Sequence, residues 1–347
     1  MLKEIEIQNF RCFEQIKISG FERVNLIGGK NNAGKTALLE ALFLNVAPYT
    51  SSLKILRDIR RESSKALEAM PERAWDNLFY TPKKAHQFIV IIGKHENNNT
   101  EKVEIKLSID PDQANINIES IINEKSIHST FLNVSPKGLG AGASGFTIDK
   151  NYITGLVSGV VPIIPSFIRI SGIELTEAYD RARLNEKDSE VLKAFQVIDP
   201  AIESVESFYI GEPTLYLRRK GEKRLPLSLF GDALNRVAEI ILKLVNSEHK
   251  ILLIDEIENG IHHTNQRNFW RVLFRLAVEL DTQIFATTHS LEMLQAFADV
   301  GLEPNQECSS AYFELAKKPK TNEIIGIRRD LETLNYALEH QKGVRGE

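Results

Sequence analysis

The sequence predicts an α/β fold built on a mostly parallel sheet, and three observations carry that prediction. Ile251 to Ile254 is an unbroken apolar run, the pattern of a strand covered on both faces. Strand-like and helix-like patterns alternate at both ends of the 347-residue chain, as in a parallel sheet flanked by helices. Between one such strand and one such helix lies GKNNAGKT, Gly29 to Thr36, a loop pattern associated with phosphate binding.

Taken in order, Ile5 and Ile7 alternate with Glu4, Glu6 and Gln8, the period of a half-buried strand, and Val24 to Ile27 forms a second strand ending at Gly28 and Gly29. Leu38, Leu39, Leu42, Phe43 and Val46 recur at helical spacing across Lys35 to Val46, and Pro48 supplies a stop. Leu53 to Trp75 reads as a surface helical element. Phe88 to Ile92, Val103 to Ile109 and Ile116 to Ile118 read as short strands of an antiparallel insertion. Ser135 to Phe146, SPKGLGAGASGF, is glycine-rich and lacks a GK[S/T] ending, so it is expected to be a flexible loop. Further on, Glu186 to Val197 is predicted helical, Val205 to Ile210 and Thr214 to Leu217 extended, and Asp232 to Val245 a strongly amphipathic helix. A helix over Thr264 to Leu280, a strand over Gln283 to Thr287, strands at Tyr312 to Leu315 and Glu323 to Ile327, and a helix over Asp330 to His340 complete the pattern. The expected organisation is one domain, with its core from residues 1–50 and 225–347. Residues 51–224 are expected to form an inserted α/β lobe containing the strands and the glycine-rich loop.

Composition narrows the function. Lys plus Arg number 43 and Asp plus Glu 47, a net charge of −4, so no global basicity argues for nucleic acid. Cys12 and Cys308 are the two cysteines, offering neither a disulfide framework nor paired metal ligands, which suits a reducing cytosol. The opening MLKEIEIQNF lacks the basic and apolar regions of a signal peptide. The most apolar stretch, Val157 to Ile170, is broken by Pro162 and Pro165, so a cytoplasmic protein without a membrane partner is expected.

The chemistry concentrates in two places. Gly29, Lys30, Asn31, Asn32, Ala33, Gly34, Lys35 and Thr36 satisfy GxxxxGK[S/T]: the glycines let backbone amides face a triphosphate at a helix N-terminus. Lys35 is expected to reach the β- and γ-phosphates and the Thr36 hydroxyl to ligate Mg²⁺. Asp255 and Glu256 stand at the carboxyl end of the apolar strand, where open α/β sheets bind ligands. Asp255 is expected to hold Mg²⁺, and Glu256 to polarise the water that attacks the γ-phosphate.

LLIDEIENGIHH, followed by a strand and TTHS at Thr287 to Ser290, together with the opening IEIQNFRCFE, resembles the ABC-type ATPases of the RecF, SMC and OLD group. The resemblance spans nearly the whole chain. It implies a P-loop NTPase head with an antiparallel N-terminal β element, and a Mg-dependent ATP hydrolase in which two protomers sandwich ATP. It implies that His289 contacts the γ-phosphate and helps position the attacking water. It implies too that LPLSLFGDALNR, Leu225 to Arg236, is the signature segment reaching the nucleotide of a second protomer through Ser228, Gly231 and Asp232. Here the Ser is displaced from the common LSGG spacing, and Ala233 stands where many relatives place Gly. Arg11 of the FRCF turn matches a residue near the nucleotide, and Asn259 and His262 match a loop that crosses the dimer interface. Only about 58 residues follow His289, too few for the Toprim nuclease domain of OLD-type relatives. The expected partners are therefore a second copy (a homodimer or higher oligomer) and a separate effector or nuclease subunit, in phage defence or DNA repair. DNA is a further candidate because of the basic runs RDIRR at Arg57 to Arg61, RRKGEKR at Arg218 to Arg224 and KKPK at Lys317 to Lys320. The alternative is an ATP-gated DNA- or protein-binding scaffold with slow turnover.

Overall fold

A computed structural model of the chain describes residues 1–62, 70, 73, 75–80, 86–110, 113–135, 138–144, 162–166, 171–247, 249–304, 306–340 and 343. A six-stranded sheet forms the centre, in the order β16 (Ile324–Arg329), β15 (Ser310–Lys317), β3 (Val24–Gly29), β14 (Gln283–Thr287), β13 (Ile251–Ile254) and β9 (Ile163–Ile164). Every pairing in it is parallel except β15 with β16, the mostly parallel sheet the sequence predicts. Its strands read as continuous apolar runs because successive residues feed two different cores. Leu252 and Ile254 pack on one side with α5 (Asp232–Val245), α6 (His263–Glu279) and α7 (Leu291–Gly301), whereas Leu253 packs on the other with α1 (Lys35–Val46). On that second side Phe21 meets Phe285 and Phe313 edge-on, with ring centroids 4.9 and 5.0 Å away.

Helix α1 is wedged between this sheet and a second, wholly antiparallel one. The second sheet runs β2 (Phe13–Ser19), β1 (Leu2–Phe10), β4 (His86–His95), β5 (Thr100–Asp110), β6 (Gln113–Ile122), β7 (Lys125–Ser135) and β8 (Gly138–Ser144). The helix touches β3, β13 and β14 on one side and β1, β4 and β5 on the other, which is why it is buried all round, Glu40 and Asn45 included. Helix α2 (Thr50–Ile59) lies beside it. The remainder is α3 (Gly172–Leu184), α4 (Asp188–Ile198), a three-stranded sheet of β10 (Ile202–Ile210), β11 (Glu212–Arg219) and β12 (Leu225–Pro226), and the terminal α8 (Leu331–Glu339). Among the described residues no helix is long and apolar enough to cross a membrane.

Three sequence expectations change. The glycine-rich stretch is an extended strand, β8, paired antiparallel with β7 from Gly138 to Ser144, and not a loop; residues 136, 137, 145 and 146 lie outside the described residues. A strand that borrows its register from a neighbour's backbone needs no apolar alternation of its own. The predicted helix over Leu53 to Trp75 holds for α2 only as far as Ile59, and 63–69, 71, 72 and 74 lie outside the described residues. The antiparallel strands of 86–144 continue β1 and β2 in one sheet, and Ile163–Ile164 joins the central sheet beside β13, so segments from 51–224 pair with both ends of the chain.

Candidate active site

The loop between β3 and α1 turns through Gly29, at φ 144°, and Gly34, at φ 93°, backbone conformations that favour glycine. Space enforces the same choice: a Cβ on Gly29 would lie 2.5 Å from the Leu315 carbonyl oxygen, and one on Gly34 2.8 Å from the Phe13 ring. Lys30, Asn31 and Asn32 form the exposed crest, Asn32 also left-handed at φ 61°, while Ala33 is buried beneath. Lys35 Nζ donates to the carbonyl oxygens of Gly29 and Lys30 at 2.8 and 2.9 Å. Burial holds this ammonium down to about 8, against the opposing pull of Asp255, Glu256 and Glu258.

β13 and β14 deliver the acidic side of the site. Thr36 Oγ1 lies 3.3 and 3.2 Å from the two Asp255 carboxylate oxygens, so the phosphate loop and the end of β13 meet. Thr287 Oγ1, at the end of β14, donates to Asp255 Oδ1 at 2.6 Å and accepts from the Glu256 amide at 2.9 Å. Burial pushes the Asp255 carboxyl above its ordinary value, and the Thr287 hydrogen bond works against that shift. Hard oxygens from one hydroxyl and one carboxylate at this spacing fit Mg²⁺, which takes one or two protein oxygens and completes its shell with phosphate and water.

Glu256 has φ 47°, a left-handed conformation that costs a residue with a Cβ about 1 kcal/mol. Its Oε2 accepts from Asn259 Nδ2 at 2.9 Å, and Asn259 also donates to the Ser166 carbonyl. Oε1 lies 3.7 Å from His289 Nε2, and both side chains are 37% exposed, so the pair faces outward from the buried metal-binding oxygens. An outward carboxylate beside an imidazole, next to a cationic phosphate cradle, can hold and deprotonate a water.

The structure therefore brings together Gly29, Lys30, Asn31, Asn32, Ala33, Gly34, Lys35, Thr36, Asp255, Glu256 and His289. Arg11 lies in the turn whose next two residues, Cys12 and Phe13, pack against Gly34 of the phosphate loop, and its own side chain is held within the protein: Nε donates to buried Glu40 at 3.0 Å and Nη1 to the Asn77 carbonyl at 2.7 Å. Burial lowers its pKa, and the Glu40 charge resists that shift. An FRCF pattern shows an Arg in a turn but not its buried partner 29 positions on. Ser228, Gly231 and Asp232 lie at the exposed start of α5, Gly231 at φ 82° as its N-cap. The loop after the acidic pair approaches Asp232: a Cβ on Gly260 would lie 3.3 Å from its carbonyl oxygen. Sequence reasoning missed Thr287 and Arg236. Thr287 was visible as the residue two before His289, where a β-branched hydroxyl at a buried strand end is itself a signal. Arg236 donates to the Asp255 carbonyl at 3.0 Å and to the Pro165 carbonyl at 3.1 Å, tying α5 to β13. Several cations of the basic runs pair within the chain: Arg57 with Glu62, Arg60 with Glu40, Arg219 with Asp199, Arg224 with Glu206 and Lys318 with Glu323.

Comparison with known proteins adds to this geometry. Residues 24–294 match a family described as "AAA domain, putative AbiEii toxin, Type IV TA system". A curated Helicobacter pylori protein named ATP/GTP phosphatase is 26% identical, the alignment covering 100% of both chains. A DNA double-strand break repair Rad50 ATPase of Archaeoglobus fulgidus is 34% identical over 111 residues, 30% of this chain and 12% of that one. Among solved structures, an SMC head bound to the C-terminal winged-helix domain of ScpA superposes with a TM-score of 0.52 at 11% identity, covering 96% of this chain and 98% of the other.

Proposed function

The chain belongs to that AAA-domain family and is an ATPase with the fold of an SMC head, and from this premise we propose that it hydrolyses MgATP as an ATP-sandwiched homodimer. The observation that carries the reading is the meeting of Thr36, Asp255, Glu256 and His289 at the ends of two adjacent parallel strands. Thr36 and Asp255 would hold Mg²⁺, which supplies charge neutralisation on the β- and γ-phosphates when bound. Loop amides and Lys35 bind the phosphates. Glu256, held by Asn259, accepts a proton from the water whose oxygen attacks the γ-phosphorus, the β–γ bridging oxygen leaves with ADP, and His289 orients that water. The exposed start of α5, with Ser228, Gly231 and Asp232, faces outward and suits a nucleotide bound to a second copy.

We place this cycle in a DNA-associated process such as phage defence or DNA repair, coupled to a separate effector. The Rad50 and ScpA-bound relatives support that reading, since their names tie such heads to DNA repair and to a protein partner. Pairing of several cations of the basic runs within the chain is the ground on which we favour a protein partner over direct DNA contact. Glu256→Gln tests the core of the proposal: the amide keeps shape but loses basicity, so hydrolysis should fall about a hundredfold while nucleotide still binds. Light scattering of this variant with MgATP should show a doubled mass. Wild-type turnover in the variant removes Glu256 from the mechanism, and an unchanged mass at saturating nucleotide removes the sandwich. GTP turned over as fast as ATP in the wild type would sink the ATP preference.

A further inference from the structure

Glu258 is two residues beyond Glu256, part of neither the phosphate loop nor the acidic pair. Its carboxylate Oε1 accepts from the backbone amide of His289 at 2.6 Å. This bond closes a short cross-loop ladder, in which the Glu256 amide donates to Thr287 Oγ1 at 2.9 Å and the Ile257 amide to the Thr287 carbonyl at 3.0 Å. The first two rungs fix the chain as far as Thr287, and Thr288 is held separately through its own amide to the Ile27 carbonyl. At His289 itself the backbone leaves the strand, and Ser290 begins α7 by capping the Met293 amide. Glu258 is thus the side chain that anchors the main chain of His289 at the point where β14 ends. The ring meets Glu256 across 3.7 Å. The second oxygen, Oε2, is buried and has no hydrogen-bond partner among the described residues. A carboxylate kept in so costly a setting for one backbone amide argues for a role in placement, because a solvated surface Glu would gain nothing from it.

We propose that Glu258 is a positioning residue for the hydrolytic step: by fixing the His289 backbone it sets where the imidazole stands relative to Glu256 and the attacking water. The inference rests on the reading of Glu256 and His289 given above. It predicts an effect on turnover and not on phosphate affinity, because Lys35 and the loop amides bind without it. Removing a charge-assisted hydrogen bond corresponds to roughly a tenfold loss in kcat.

The test uses the full-length protein, MgATP turnover and the dissociation constant of a fluorescent ATP analogue. Glu258→Ala should lower kcat about tenfold with affinity within about twofold of wild type, and Glu258→Gln should recover most of the loss because its carboxamide oxygen still accepts from the His289 amide. Glu258→Asp, too short to reach, should behave like Glu258→Ala and serves in its place if the alanine variant does not fold. In a His289→Ala background the Glu258→Ala cost should shrink to less than about twofold, the coupling expected of a residue acting through its neighbour. Full additivity of the two losses, or wild-type kcat in Glu258→Ala and Glu258→Asp, overturns the proposal while leaving the ATPase reading intact. Absence of hydrolysis by the wild type, or Lys35→Ala hydrolysing normally, strikes the ATPase reading instead.

Discussion

At the scale of the residue, Lys35 shows what burial does to a charge before a ligand meets it. Its side chain is 5% exposed at the base of α1, and desolvation holds the ammonium down to about 8, below its ordinary 10.5. The sign for the ligand-free protein follows: the unfolded chain binds more protons than the folded one between about 8 and 10.5, so this group's contribution to stability rises with pH across that window. A triphosphate reverses the balance by supplying negative charge beside the ammonium, raising its pKa. Nucleotide binding at pH 8.5 should therefore take up protons, and affinity should fall by up to about tenfold per pH unit above 8. Calorimetry at pH 8.5 in buffers of different ionisation enthalpy measures the uptake directly, and identical heats in all of them would show that Lys35 is already charged in the free protein. Thr287 makes the complementary point for anions, since its hydroxyl helps keep a buried Asp255 carboxylate ready for a divalent cation.

At the scale of the element, α1 explains why some of this fold was readable and some was not. Val24–Gly29, Ile251–Ile254 and Gln283–Thr287 declared themselves because burial on both faces forces largely apolar runs, and Lys35–Val46 did so through the helical spacing of its apolar residues. β8 did not, since its glycines and alanines carry no periodic signal and its pairing comes from β7. β9 is two residues long, below the length at which any pattern exists. Within the site, the phosphate loop and acidic pair were legible because chemistry dictates their residue types at fixed spacing. Arg11's ion pair with Glu40 was not legible, because it depends on tertiary geometry alone. That ion pair is itself an element-level feature: Glu40, fully buried on α1, takes Arg11 from the β1–β2 turn at 3.0 Å and Arg60, just past α2, at 2.6 Å. Glu40→Ala leaves Arg11, whose side chain is 8% exposed, as an uncompensated buried cation, and should cost about 3 kcal/mol in urea unfolding. Glu40→Leu should be little better, because the penalty lies in the stranded arginine and not in the cavity. A loss below about 0.5 kcal/mol in both would mean the arginines find water when the carboxylate is removed.

At the scale of the whole molecule, the two sheets make one nucleotide-binding body only because distant parts of the chain pair. The phosphate loop is carried by β3, a central strand whose neighbours are β14 and β15, while the sheet on the other side of α1 is assembled from β1, β2 and the strands of 86–144. Gln283 stitches the two ends together, accepting from the Leu2 amide at 2.9 Å and donating to the Leu2 carbonyl at 2.8 Å. The strand order has a consequence for synthesis. On a ribosome adding roughly 5–20 residues per second, β3 emerges early and then waits some 15–60 s for both of its partners. Throughout that interval a highly apolar strand and its loop are exposed with two open edges, a hazard for pairing with other nascent chains. Force-profile measurements on stalled nascent chains should show the central sheet closing only once β15 has cleared the exit tunnel, and protection of Val24–Gly29 at shorter lengths would mean that β1 and β2 shelter it in the meantime. The capacity to grip a triphosphate is therefore acquired only after β13, β14 and β15 have been made, so a nascent chain short of them draws nothing from the cellular nucleotide pool.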